Sequence, residues 1–139
     1  HVLMDHGAPL SLPVAVALGD LGRVRALLEE DPARAHERAS LDQPAIWYCA
    51  TGNGGVEAAK ILLEHGVDVD QSSLGTTALH WAAREGDVDL ARFLLEQGAD
   101  LEAVSYSFSR NGRTPRQVAK SRRMGRVQQL FDEWEAKSD

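Results

Sequence analysis

The feature that most constrains this chain is a segment that occurs more than once. Ile61-Leu62-Leu63-Glu64-His65-Gly66 recurs 32 residues later as Phe93-Leu94-Leu95-Glu96-Gln97-Gly98. Val56 falls on Val88, and Gly54 on Gly86, at the same offset. Upstream, Gly19-Asp20-Leu21 matches Gly86-Asp87-Val88 and Leu27-Leu28 matches Leu94-Leu95, both at an offset of 67. Downstream, Gly112-Arg113-Thr114-Pro115 matches Gly75-Thr76-Thr77-Ala78 at an offset of 37. Self-similarity at such a spacing marks one supersecondary unit used several times.

The clearest copy spans residues 74–103. A turn opens at Gly75, and a short helix follows with Leu79, Ala82 and Ala83 on one face. Gly86 and Asp87 break it, and a second helix carries Val88, Ala91, Leu94 and Leu95 at helical spacing. Gly98 ends that helix, because glycine accepts the left-handed conformation that satisfies the last carbonyls. A helix pair apolar on more than one side cannot bury itself; it needs copies stacked against it.

The first helix reads Thr77-Ala78-Leu79-His80-Trp81-Ala82-Ala83, and residues 94–100 read Leu-Leu-Glu-Gln-Gly-Ala-Asp. These segments resemble the ankyrin-repeat family, with its period of about 33 residues and its Thr-Pro-Leu-His-x-Ala signature. Alanine stands here for the usual proline. The resemblance implies an all-α solenoid of stacked helix-turn-helix pairs with short β-turn fingers. The expected units are a half repeat in residues 1–8, repeats in 9–42, 43–70 and 71–103, and a long finger with a C-terminal capping repeat in 104–139. The half repeat rests on HVLMDHGAPL, which aligns with residues 60–69 at an offset of 59. It reads as the second helix of an earlier repeat, as in a piece of a longer array; the alternative is a natural half-repeat cap left by processing.

Three places depart from the family pattern. Asp31-Pro32 stands where a terminating glycine is expected, and residues 32–42 read as a long link. In the next repeat, Ala45 and Tyr48 take the places of the motif threonine and histidine, with Trp47 at the buried leucine position and Pro44 in the first helical turn. Gly75 to Gly112 spans 37 residues, so the finger between the last two repeats is longer than standard. Its Ser105-Tyr106-Ser107-Phe108-Ser109 alternation reads as a β-hairpin with two rings on one face. At the C-terminus, Val127, Leu130, Phe131 and Trp134 form one apolar stripe of a capping helix, with a frayed tail beyond. Leu62, Leu63, Leu94 and Leu95 are expected in the core.

Little in the sequence carries chemistry. Among five histidines no pair has metal-ligand spacing. His80 belongs to the motif, and the resemblance gives it a backbone-bonding role. His6 and His65 recur before a glycine, where a histidine meets the last helical carbonyls. The single cysteine, Cys49, excludes an internal disulfide and reads as a buried residue of a reducing compartment. No nucleophile elbow, phosphate-binding loop or dinucleotide fingerprint occurs. No cofactor or metal is expected, and no catalytic residue. No apolar stretch approaches the roughly 20 residues that cross a bilayer. A cytoplasmic location is expected.

Charge is unevenly spread. Residues 110–126 hold seven basic side chains (Arg110, Arg113, Arg116, Lys120, Arg122, Arg123, Arg126) and no acid; the remainder holds 8 basic and 21 acidic, a balance of −13. The stretch reads either as a solvated cap or as a docking patch for an acidic surface. Nucleic acid fits poorly, because the acidic remainder repels phosphate and only Tyr106 and Phe108 offer stacking.

The resemblance implies a non-catalytic protein-binding scaffold that takes its partner on the concave face and finger tips. Carried over by position, the variable residue after the motif histidine is Trp81, with Val14, Cys49 and Val118 as equivalents. Arg84 and Glu85 follow it. The candidate partner-binding residues are therefore Trp81, Arg84, Glu85, Tyr106, Phe108, Arg110, Arg113 and Arg122. The alternative for Trp81 is packing on the long finger. The alternative function is a regulatory or targeting segment of a larger enzyme whose catalytic domain lies outside these residues.

Overall fold

The computed structural model describes residues 11–36, 38–39, 43–51, 55–107 and 110–138. The half repeat expected in residues 1–8, the glycine turn at 52–54 and Phe108 lie outside them. Helices come in pairs. The first pair is α1 (Leu12–Leu18) and α2 (Leu21–Glu30). The second is α3 (Tyr48–Thr51), preceded by a 3-10 turn (Ala45–Trp47), and α4 (Gly55–Glu64). The third is α5 (Ala78–Glu85) and α6 (Val88–Glu96). The fourth is α7 (Pro115–Ser121) and α8 (Gly125–Ser138). First helices pack on first helices (α1 on α3, α3 on α5, α5 on α7), and second helices do likewise. The result is an inner row and an outer row.

Five of the helix starts have a chemical reason. Ser11, Asp20, Thr77, Asp87 and Thr114 are N-caps whose side-chain oxygens accept from a backbone N–H three residues on. Two of these are capping boxes, Thr77 with His80 and Thr114 with Gln117. Gly19 and Gly86 end α1 and α5 at φ +75° and +74°. Arg123 occupies the corresponding place after α7 at φ +58°, where a side chain is disfavoured. Gly98, at φ +94°, closes α6, with the N–H of Ala99 reaching the carbonyl of Leu94.

The interior is a continuous apolar strip between the rows. Leu12, Val16, Val24, Ile46, Leu62, Leu79, Leu90, Leu94 and Phe131 are fully or almost fully shielded. Of the four leucines expected in the core, Leu62, Leu94 and Leu95 are buried and Leu63 is only partly so. The stripe of the last helix is as expected, with Val127, Leu130 and Phe131 buried and Trp134 half-buried. That helix continues past Trp134 to Ser138.

The fingers are tied together by backbone. Ser73-Leu74-Gly75-Thr76 is a two-residue hairpin with both central residues at positive φ, +55° and +78°, the type I′ geometry. Ser105 pairs with Arg113 through two N–H···O bonds of 2.8 Å, and the N–H of Tyr106 reaches the carbonyl of Leu74 at 3.1 Å. Asp31, Asp68 and Asp100 each accept from the N–H two residues on, at 2.8–3.1 Å. Asp31 thus begins its loop as the aspartates of the later repeats do. Asp70 links neighbours, its carboxylate accepting from the N–H of Asp100 at 2.9 Å. The link at 32–42 is partly regular: Pro32–His36 is a 3-10 turn, and β1 (Arg38–Ala39) pairs antiparallel with β2 (Gln43–Pro44).

The second repeat corrects the expected register. Pro44 is not in a helical turn; it is extended at φ −64°, ψ 146° and pairs with Arg38. Ala45, Ile46, Trp47, Tyr48 and Cys49 show the burial sequence of Ala78, Leu79, His80, Trp81 and Ala82. Ile46 therefore holds the leucine position and Trp47 the histidine position. Tyr48, not Cys49, is the equivalent of Trp81. The offset here is 33, whereas Val56 and Val88 are 32 apart. The stretch from Trp47 to Val56 is one residue longer than its counterpart, His80 to Val88.

Candidate inner-face site

The inner face is built by the fingers and the first helices, so each repeat contributes the same few positions to it. At its middle stand Trp47, Tyr48 and Trp81. Trp47 is held by its indole N–H, which donates to the carbonyl of Thr76 at 3.1 Å. Tyr48 is held by its hydroxyl, which bonds Gln43 Oε1 at 2.5 Å. Trp81 packs on Trp47 with ring centroids 5.6 Å apart and planes tilted by 52°. Together with Gln43 these three rings line a cleft of about 150 Å³.

Trp81 thus has a ring partner in the repeat before it. It leans on the preceding repeat and keeps part of its ring at the surface. The Arg84 guanidinium lies 5.5 Å from its centroid, within cation–π range. Arg84 also pairs with Glu85, and both carboxylate and guanidinium are about a third exposed. The three residues singled out on this helix do come together. Of the equivalents of Trp81, Val14 is 43% exposed and extends the apolar stripe, whereas Val118 is buried.

His80 sits behind Trp81 and is fully buried. Its Nδ1 accepts from the N–H of Thr77 at 3.1 Å. That leaves Nε2 as the protonated nitrogen, which donates to the carbonyl of Arg113 at 2.9 Å. Burial pushes the imidazole below its usual range, against the opposing pull of the Arg113 and Ala103 carbonyls. This is a neutral histidine that fastens one repeat to the next. His65 plays the expected capping part, with Nδ1 donating to the carbonyl of Ile61 at 2.9 Å. Burial pushes the Cys49 thiol up to about 12, which leaves it a poor nucleophile.

The basic stretch does not form one patch. Arg116 is tied to Asp132 and Glu135 of the last helix, not to acids of the preceding repeat. Arg123 and Arg126 flank a small cleft beside Gly86 and Met124. Arg113 and Lys120 line a groove of about 560 Å³ with Asn111, Gly112, Gln117 and Ser121. At the offset of 37, Arg113, Gln117, Lys120 and Ser121 correspond to Thr76, His80, Ala83 and Arg84. In the third repeat Thr76 and His80 bond the next finger, and Ala83 is fully buried. The last repeat therefore presents a charged face where its predecessor presents a packed one. Arg110 and Arg122 are exposed near this end.

On the finger, Tyr106 is 59% exposed, and its ring edge lies against Gly112, where a Cβ would stand 3.0 Å from Cε1. With Leu74 and Val104, 73% and 40% exposed, it makes an apolar finger tip. Sequence reasoning missed Leu74, although a leucine before a turn glycine was a visible signal. It also missed Tyr48, because the register was displaced by one residue. Among the described residues, no group of three or more His, Cys, Asp or Glu is arranged to hold a metal ion. Among the same residues, no helix is long and apolar enough to cross a membrane.

Among protein families, the model described as ankyrin repeats (3 copies) matches residues 12–105. No curated protein matches the chain significantly.

Proposed function

The chain belongs to the ankyrin-repeat family, whose domains are generally non-catalytic protein–protein interaction modules, and from that premise we propose that it is a scaffold binding one protein partner across its inner face and finger tips. The observation that carries the reading is the Trp47, Tyr48 and Trp81 cluster. Tyr48 and Trp81, half-buried, backed by the buried Trp47 and rimmed by the Arg84–Glu85 pair, have the composition of an interface hot spot. Tyr106 and Leu74 extend the surface along the fingers, and Arg113 with Lys120 gives it a basic end suited to an acidic part of the partner. Arg110 and Arg122 add to that end. The groups best placed for chemistry have structural tasks instead: both ring nitrogens of His80 are bonded, and Cys49 is buried and protonated.

The test is capture from lysate by the chain and by a Trp81→Ala/Tyr106→Ala variant, with the variant's unfolding midpoint and helical signal checked beside it. A protein retained by the parent and lost by the folded variant supports the reading. An identical retained set shifts the surface to Arg113 and Lys120, which Lys120→Glu then probes. Nothing retained by the parent counts against the reading.

A further inference from the structure

The cleft between Gln43, Trp47, Tyr48 and Trp81 has a shape and a lining that point to a particular kind of occupant. Its volume of about 150 Å³ is below the roughly 300 Å³ where pockets for whole small molecules begin. It suits one side-chain head group. Its walls are three aromatic rings and one amide. Aromatic faces carry negative quadrupole charge and attract cations within about 6 Å of the centroid, tryptophan most strongly. The protein already uses this property once, with the Arg84 guanidinium 5.5 Å from Trp81.

Charge favours the same occupant. Outside residues 110–126 the chain carries a balance of −13. Glu85 is four residues beyond Trp81, on the same side of α5, and its ion pair with Arg84 offsets the guanidinium charge beside that ring. The rings are also fixed before any ligand arrives. The Trp47 indole is bonded to Thr76, the Tyr48 hydroxyl to Gln43, and Trp81 rests on Trp47. A cage that is already ordered loses little entropy when it closes on a ligand.

We infer that this cleft is an aromatic cage for the alkylammonium head of a partner's lysine, with methylated lysine the better fit because methyl groups match ring walls. The inference rests on the protein-binding reading above and names the chemistry of one anchor. A leucine-like side chain would fit the same volume, so charge is what the experiment must separate.

Three short peptides are titrated into the isotope-labelled chain, identical except for one residue: lysine, trimethyl-lysine, or the neutral carbon isostere in which the ammonium nitrogen is replaced by carbon. Tetramethylammonium chloride serves as the head group alone, with sodium chloride as the ionic-strength control. Indole N–H signals of Trp47 and Trp81 report the cage. Saturable shifts with trimethyl-lysine, weaker by about tenfold or more with the isostere, are expected. Trp81→Leu and Tyr48→Leu should each abolish them while the unfolding midpoint stays near the parent value. If either leucine variant loses its fold, Tyr48→Phe keeps the ring and should keep the charged preference. Equal binding of the isostere, or no saturable shift with any ammonium probe, overturns the cage. In that case a captured partner that still depends on Trp81 leaves the scaffold reading standing.

Discussion

Trp47 donates its indole N–H to the carbonyl of Thr76, 3.1 Å away in the next repeat. His80 does the same one repeat further on, from Nε2 to the carbonyl of Arg113 at 2.9 Å. Thr76 and Arg113 are themselves equivalent at the offset of 37. A tryptophan has thus replaced a histidine while keeping the donor and the acceptor. The larger ring fills more of the inner face, and it is the surface on which Trp81 leans. One substitution in the repeat pattern therefore supplies both an inter-repeat fastening and a wall of the cleft.

Trp47→Phe removes that donor and leaves a ring of smaller volume. The variant should lose roughly 1–3 kcal/mol of stability, read as a lower urea midpoint. An unchanged midpoint would show that the bond to Thr76 does not hold the two repeats together.

His80 gives a pH dependence with a definite sign. Its native titration lies below the ordinary 6.5, with burial the largest cause. Below pH 6.5 the unfolded chain takes up a proton that the folded chain refuses. The stability linked to this group is complete above 6.5 and is lost as pH falls towards the lowered native value. His80→Gln can keep the capping box, as Gln117 does in the last repeat, but does not titrate. The stability gap between parent and variant should shrink between pH 7.5 and 5.5. A constant gap would contradict the neutral, Nε2-donating assignment.

Cys49 should be silent in the folded protein. A thiol pushed up to about 12 and fully shielded yields almost no thiolate at pH 8. An alkylating or disulfide-exchange reagent should label it only after unfolding. Rapid labelling of the native chain would show that the second inner helix opens readily.

The finger hairpin offers two substitutions of opposite effect. Gly75 is at φ +78°, and a Cβ there would stand 2.1 Å from the carbonyl oxygen of Val104. Gly75→Ala should cost more than about 2 kcal/mol. Leu74, at φ +55° and 73% exposed, sits at the first central position of a type I′ turn, where asparagine is favoured. Leu74→Asn should raise the unfolding midpoint. If Leu74 contributes to the finger-tip surface, the same change should weaken partner capture.

Much of the fold was legible because its determinants are local and repeated. The helix pairs over 12–30 and 78–96 follow from apolar spacing, from the caps Asp20, Asp87 and Thr77, and from glycines at fixed places. The second repeat was harder. Its motif residues are replaced, and the repeated spacing is carried by Gly54 and Val56, beyond a stretch one residue longer than its counterpart. Sequence spacing cannot say on which side of a glycine turn an insertion lies, but burial can. The site was legible only in part. Trp81, Arg84 and Glu85 stand out by position in the motif, and the structure brings them together. The contribution of Trp47 and Tyr48 arises from stacking between repeats, which no single repeat encodes. The basic stretch looked like one surface in sequence, yet helical geometry sends Arg116 to the acids of the last helix and Arg113 to the inner groove.

The most direct test of the account is a hydrogen-exchange footprint of the chain with and without its captured partner. Binding across the inner face should slow exchange in residues 45–51, 73–85 and 104–121, the second, third and fourth inner helices and the fingers. The outer helices α2, α4 and α6 should exchange as before. Protection confined to those outer helices, with the inner face unchanged, would contradict the account.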